Sequence, residues 1–172
     1  YAKGKERKTE IRIFDDVDVK KVVVKNSKLY VNRDEGFIGT SLRKDEFVEE
    51  CSDIDDVIVF TQNGDMIVSR VESKKFVAKN ILFASVFKKK DSRTIYNMIY
   101  KDGKTGISYI KRFNVTGVTR DKLYNLTSQH PKSKVLHFSA NPNGEGEVVT
   151  IQLRQNSSIK KLKWDLDFAD LT

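Results

Sequence analysis

Lysine and arginine residues recur in short groups along this chain. Of its 172 residues, 32 are Lys or Arg and 24 are Asp or Glu, which gives a formal net charge of +8. Such an excess favours polyanionic partners, either nucleic acid or an anionic membrane. An individual lysine is usually only a solvated side chain, so the hypothesis concerns the set. The predicted anion-contacting residues are Arg33, Arg43, Lys44, Arg70, Lys74, Lys75, Lys88, Lys89, Lys90, Arg93, Lys111, Arg112, Arg120, Lys122, Lys160 and Lys161.

Residues with the chemistry of catalysis or metal binding are sparse. Cys51 is the sole cysteine, and neither His130 nor His137 belongs to a recognisable motif, so Cys51 is predicted to be a buried apolar residue. There is no phosphate-cradling GxxxxGK[ST] run and no Cys/His set with zinc spacing. The acids near residues 15–16 and 53–56 precede apolar runs, where turn and capping roles are expected. We therefore predict no catalytic residue, no metal site and no cofactor for this chain.

The elements that must position the cations are predicted to be short strands. Most segments are rich in Val, Ile, Phe, Tyr and Thr and are bounded by Gly, Asn, Asp and Ser. Asn63-Gly64 and Asp102-Gly103 supply the positive φ angles of two-residue hairpin turns. Asn26-Ser27 and Asn143-Gly144 occupy the corresponding place in two other segments. Only LRKDEFVEEC and TRDKLYNLT could form a helical turn, and most aromatic residues are expected in the core.

The turns recur about every 40 residues, which is typical of propeller-like blades. Residues 1–16 are interpreted as a linker. Four units follow, at roughly 17–52, 53–92, 93–133 and 134–172, each opening with a hairpin; the incoming strands are Val22 to Val24, Val57 to Phe60, Tyr96 to Tyr100 and Val135 to Phe138. This order predicts an all-β, propeller-like fold with about four blades. A single sandwich or barrel built from the same strands is the alternative.

Several segments resemble the A subunits of bacterial type IIA topoisomerases, the DNA gyrase and topoisomerase IV family. KERKTEI (Lys5 to Ile11) resembles the end of their catalytic core, where a basic run and Thr-Glu-Ile precede the C-terminal domain. KLYVNRDEGFIGTSL, DVIVFTQNGDMIVSRV and GISYIKRFNVTGVTRDKLYNLT are similar to successive blades of that domain. The resemblance covers nearly the whole chain, and the order of the motifs is more specific than any one of them.

The resemblance implies a β-pinwheel, in which neighbouring blades exchange strands and DNA bends around a basic perimeter. Complete domains have five or six blades, so four units indicate a partial wheel. The family's Tyr nucleophile, ATP site and Mg²⁺ site lie outside this segment. The implied partners are double-stranded DNA, the rest of the A subunit and the ATPase B subunit of the enzyme. The resemblance implies neither a membrane nor a small-molecule substrate. The implied location is the cytoplasm, at the nucleoid.

Gyrase pinwheels carry a box resembling QRRGGKG, and this sequence has no such run. Its nearest analogue is RDEGFIG (Arg33 to Gly39), which contains two acids. The chain is therefore more similar to the topoisomerase IV type, although the choice between the two types stays open. Two alternatives also stay open: a propeller-like protein-interaction module without a DNA role, and an enzyme built on a propeller.

Overall fold

A computed structural model describes residues 25–155 and 160–171. The predicted linker, the incoming strand Val22 to Val24 and the KERKTEI segment lie outside the described residues. No α-helix occurs in the described parts, and a short 3₁₀ turn covers Phe168–Asp170. The strands are β1 Ser27–Asn32, β2 Phe37–Gly39, β3 Glu46–Cys51, β4 Asp56–Thr61, β5 Asp65–Arg70, β6 Lys75–Phe76, β7 Ile81–Phe87, β8 Ile95–Lys101, β9 Ser108–Asn114, β10 Leu123–Asn125, β11 Lys134–Asn141, β12 Val148–Gln152 and β13 Lys163–Asp167.

The strands form four antiparallel sheets with open edges. Their orders are β3-β1-β2-β6, β10-β5-β4-β7, β11-β8-β9 and β12-β13, called here the first to fourth sheets. Two short strands cross into the preceding sheet: β6 pairs with β2 and β10 pairs with β5. The fold is therefore all-β and pinwheel-like, with several blades, as the sequence predicted. The described strands do not close into a single barrel.

The second sheet packs against apolar neighbours on both faces, and β4 shows why. Successive side chains of a strand point to opposite faces. Val57 and Val59 join a core shared with the first sheet, whereas Ile58 and Phe60 join a core shared with the third sheet. A continuous run of apolar residues is what a strand buried on both faces requires.

The contact between the third and fourth sheets is more polar. Asn97 of β8 is fully buried and donates to Glu147, which lies just before β12. Ser139 of β11 also donates to the Glu147 carboxylate, and His137 Nε2 lies 3.1 Å from its other oxygen. Phe168 is fully buried and lies beside the His137 ring. The fourth sheet is thus attached to the third through the hydrogen bonds of Glu147 and the buried ring of Phe168.

Of the four predicted hairpin turns, the one at Asn63-Gly64 is confirmed in position and the other three are wrong. Gly64 has φ +82° in the turn between β4 and β5, and its N–H donates to the carbonyl of Thr61. The β8–β9 connection instead runs over residues 102–107, and the positive φ belongs to Gly106. Ser27 already begins β1, so Asn26-Ser27 is not a turn; the hairpin turn of that unit lies between Asn32 and Phe37.

The strand Val135 to Phe138 does not open a fourth hairpin. It belongs to β11, which pairs with β8 and completes the third sheet. Asn143-Gly144 consequently joins β11 to β12, in different sheets, and the last hairpin is β12–β13. The prediction failed because hairpin partners are close in sequence, whereas β8 and β11 pair across more than thirty residues.

The predictions for Cys51, for the acids before β4 and for the core aromatic residues are confirmed. Cys51 is completely buried, and the Asp55 carboxylate accepts the Ser52 N–H at 2.8 Å in the turn before β4. Both stretches considered for a helical turn contain strands instead, β3 and β10. Phe60, Tyr96 and Tyr100 are buried, as predicted. Among the described residues, none forms a helix with the length and hydropathy needed to cross a bilayer.

Candidate nucleic-acid interface

A basic groove lies at the end of the second sheet where β4 begins and where β5 and β7 finish. Asp56 at the start of β4 is opposite both Arg70 and Phe87, so the three strand ends coincide. Residues 118–120, in the connection from β9 to β10, line the other side of the groove. The groove encloses about 860 Å³, and its cations are Lys25, Arg70, Lys88, Lys89 and Arg120, which we call the groove cluster.

The acids in this groove are engaged by the protein itself. Glu49 Oε1 accepts the Val86 N–H at 2.6 Å, and the Asp55 carboxylate binds the Ser52 backbone. Asp56 pairs with Arg120 at 2.8 Å. The other four cations of the groove cluster form no ion pair with a described residue. The five cations and three carboxylates of the groove lining sum to a net formal charge of +2, which suits an anionic ligand.

Two of the predicted anion-contacting residues instead hold sheets together. The Arg33 guanidinium pairs with Glu46 at 2.6 Å and donates to the carbonyl of Leu82 in the second sheet. Hydrogen bonding to Glu46 raises the pKa of Arg33. Lys75 Nζ lies 2.7 Å from a carboxylate oxygen of Glu72 and 3.0 Å from one of Asp121. The second ion pair links β6 to the connection before β10. Both cations have internal partners and contribute to strand exchange.

Lys111 and Arg112, neighbours on β9, also point inward. Lys111 Nζ donates to the carbonyl of Leu126 and lies 5.4 Å from the centre of the Tyr100 ring. Arg112 donates to the carbonyl of Gly144 at 2.9 Å, and its second terminal nitrogen is buried without a hydrogen-bond partner among the described residues. These two side chains are committed to the third sheet and its surroundings.

The remaining predicted cations are exposed and lie outside the groove lining. Lys74 and Lys122 lie over the rings of Phe37 and Tyr124. Arg93 lies 3.7 Å from Asp91. Lys90 follows the groove cations directly and donates its N–H to the carbonyl of Thr116. The others, all exposed and in connections between strands, are Arg43, Lys44, Lys160 and Lys161.

The RDEGFIG segment forms the β1–β2 hairpin. Gly36 has φ +83°, and a Cβ there would lie 2.3 Å from the carbonyl oxygen of Ala78. Arg33 is held by Glu46 as described. This segment is therefore a close-packed turn against the β6–β7 connection, and its arginine is paired with Glu46.

Sequence reasoning missed Lys25 and four lysines at the far end of the third sheet, Lys101, Lys104, Lys132 and Lys134. Lys25 was overlooked because it stands singly after the apolar run of Val22 to Val24. The four lysines are dispersed in sequence and meet only through the β8–β11 pairing. A search for lysines flanking predicted strand ends could have found them. Among the described residues, no three His, Cys, Asp or Glu side chains are grouped to hold a metal ion.

Comparison with known proteins adds to this geometry. The family model described as "Topoisomerase C-terminal domain, Bacteroidota" matches residues 28–172. This chain belongs to that family. It is also similar to the A subunit of DNA topoisomerase 4 from Borreliella burgdorferi (strain ATCC 35210 / DSM 4680 / CIP 102532 / B31), with 34% identity over 143 residues. That alignment covers 83% of this topoisomerase C-terminal domain and 22% of the relative, so the chain spans about a fifth of the relative's length. No solved structure matches the chain.

Proposed function

We propose that this topoisomerase C-terminal domain binds and bends double-stranded DNA for an ATP-dependent type II topoisomerase, and that it does so without catalysing a reaction itself. The groove cluster is the observation that carries this proposal. Four of its five cations form no ion pair with a described residue, and they lie at one end of the second sheet in a groove whose lining carries a net positive charge. Contacts of this kind bind phosphates and position a duplex without reading its bases.

The physical signature of such a site is salt dependence. Each phosphate that a lysine or arginine neutralises releases condensed counterions, and contributes about 0.9 to the slope of log affinity against log salt concentration. Four contacts therefore predict a slope of about 3–4 from the groove alone. Bending a duplex over a site of two or three helical turns costs on the order of 1–6 kcal/mol, which further contacts must offset.

The wider setting belongs to the same proposal. Similarity to the A subunit of a topoisomerase 4 favours the topoisomerase IV type, as does the absence of a QRRGGKG-like run from this sequence. The B subunit, with the remaining parts of the A subunit, would supply DNA cleavage, the ATP site and the Mg²⁺ site. The domain would hold a DNA segment for strand passage in the bacterial cytoplasm, at the nucleoid.

The direct test removes charge from the groove. We expect Lys25, Arg70, Lys88 and Lys89, all replaced by Gln, to weaken binding of a fluorescent duplex and to lower the salt slope by about 3–4. A matched control replaces four exposed cations outside the groove, Lys28, Lys79, Arg154 and Lys163, by Gln. Equal affinities and slopes for the two variants would overturn the groove assignment. Absence of salt-sensitive DNA binding by the unaltered chain would favour a protein-interaction module instead.

The type of parent enzyme needs the intact protein. The groove substitutions are placed in the full-length A subunit, which is then assembled with its B subunit. For this enzyme the topoisomerase IV proposal predicts weaker decatenation and little change in negative supercoiling. A selective loss of ATP-driven negative supercoiling would instead assign the domain to a gyrase.

A further inference from the structure

Four lysines lie close together at the end of the third sheet where β8 finishes and β11 begins. Lys101 ends β8 and Lys134 begins β11, and the two are directly paired across the strands. Lys104 lies in the 102–107 connection and Lys132 in the connection before β11. These connections touch, because a Cβ on Gly103 would lie 2.4 Å from the carbonyl carbon of Lys132. We call Lys101, Lys104, Lys132 and Lys134, which are all exposed, the hairpin-end cluster.

A buried carboxylate fixes the two connections that carry these lysines. Asp102 is 4% exposed and accepts hydrogen bonds from Ser128, from the Thr105 hydroxyl at 2.6 Å and from the Thr105 N–H at 2.9 Å. Ser133, next to Lys132, in turn accepts the Gly103 N–H at 3.0 Å. Hydrogen bonding, above all from Ser128, lowers the pKa of Asp102. The connections are thus ordered before any ligand arrives.

The arrangement places like charges together without an ion-pair partner in the part of the chain that the structure describes. Lysines directly opposite each other on paired strands destabilise a sheet. None of the four forms an ion pair with a described residue, and Asp102 supplies one negative charge against four positive ones. Sequences break local rules of this kind mainly where function requires it. The ligand that would relieve the repulsion is a polyanion.

The cluster is separate from the groove. Lys88 of the groove cluster lines a small cavity together with Asp91 and Thr94. The groove therefore lies near the first residues of β8. The seven residues of β8 then separate that end from Lys101 by about 20 Å. A phosphate bound in the groove cannot be shared with the hairpin-end cluster at that distance.

We propose that the hairpin-end cluster is a second contact for the phosphate backbone of double-stranded DNA, used in addition to the groove cluster. Lysines grouped in this way neutralise phosphates and position a duplex without reading its bases. The inference rests on the proposed function, since it assigns a second contact to the same ligand. DNA is favoured over an anionic membrane or an acidic protein because this chain belongs to a topoisomerase domain family.

The test compares four forms of the chain on a duplex of about 30 base pairs. They are the unaltered chain, K101Q/K104Q/K132Q/K134Q, the groove variant and the Lys28, Lys79, Arg154 and Lys163 control. We expect the hairpin-end variant to bind at least tenfold more weakly than the control and to lose about 3–4 from the salt slope. The arginine variant K101R/K104R/K132R/K134R should keep the slope, since it retains every charge.

The outcomes separate the two proposals. If the hairpin-end variant matches the control while the groove variant loses binding, the second contact is wrong and the DNA-binding proposal stands. If the unaltered chain does not bind the duplex, both fail. If the hairpin-end substitutions abolish binding to phosphatidylserine vesicles and leave duplex binding unchanged, the cluster is a membrane contact and the inference is overturned. Far-UV circular dichroism of each variant checks that the sheets are intact.

Discussion

The second and fourth sheets are built on opposite principles. The second sheet is covered on both faces by apolar side chains. The single ring of Phe60 lies near four others, those of Phe83, Tyr96, Phe113 and Phe138. The fourth sheet has two strands and is attached through Glu147 and Phe168. Its strands alternate between partly buried and exposed residues. Burial of apolar area is additive and non-directional, whereas a polar network holds only while each bond keeps its geometry.

This difference indicates where the molecule opens first. Regions with few buried apolar contacts unfold locally at lower free energy than the global transition. The fourth sheet fits that description, and it also presents Lys160 and Lys161 near the start of β13. We therefore expect β12 and β13 to exchange amide hydrogens sooner than β4 and β8.

Phe60→Ala should produce the largest effect. Removing a fully buried ring that lies among four others leaves a cavity, and such changes cost about 3–5 kcal/mol. Urea unfolding should show this loss in the main cooperative transition. A cost below about 1 kcal/mol would show that the second sheet is not the stable centre of the molecule.

Phe168→Ala tests the other side of the comparison. Phe168 is as buried as Phe60 but anchors only the fourth sheet. We therefore expect a loss of about 3 kcal/mol, the low end of the range for a buried ring, that appears mainly as faster exchange in β12 and β13. Hydrogen exchange followed by mass spectrometry measures both regions at once. Equal acceleration in β4 would mean that the sheets unfold as one unit.

Glu147→Gln examines the polar network and its dependence on pH. Burial raises the pKa of Glu147, but hydrogen bonds from Ser139, Asn97 and His137 outweigh it and hold the pKa below 4.5. Because the folded pKa is depressed, the carboxylate stabilises the attachment above pH 4.5, and this contribution is lost as pH falls through the folded value. The variant should cost about 1–3 kcal/mol near neutral pH.

The measurement for Glu147 is exchange in β12 and β13 as a function of pH, corrected for intrinsic rates. The unaltered chain should lose protection selectively in these strands below pH 4.5, and Glu147→Gln should show no such selective step. Glu145→Gln, at an exposed acid two residues before Glu147, serves as the control. A step that persists in Glu147→Gln would place the responsible carboxyl elsewhere.

Thr150→Ala should have the smallest effect. The Thr150 hydroxyl donates to Asp165 across β12 and β13 at 2.6 Å, on an exposed face. Cross-strand polar pairs of this kind contribute about 0.2–1 kcal/mol. Thermal unfolding should therefore be nearly unchanged. A loss comparable to that of Phe168→Ala would show that pairing within the fourth sheet, and not its attachment, limits stability.

The fold was largely predictable from local patterns, whereas the binding surface was not. The continuous apolar run of β4 and the turn at Asn63-Gly64 predicted a hairpin. β4 pairs with β5 there, and of the two predicted positive φ angles only that of Gly64 is found. The pairing of β11 with β8 was missed because no local pattern specifies a partner so distant in the chain. Among the predicted cations, Lys88 and Lys111 look alike in sequence, yet one faces a solvent groove and the other binds the carbonyl of Leu126.

The sequence by itself determined the class of fold and the family to which the chain belongs, because strand chemistry and turn residues act over a few positions. Tertiary structure alone decided which of the described cations form ion pairs. Exchange of β6 and β10 into preceding sheets brings Lys75 to Asp121 and Arg120 to Asp56, while β8–β11 pairing gathers four lysines that lie in separate segments. Charge is a property of each residue, but its availability depends on distant neighbours that only the folded chain brings within bonding distance.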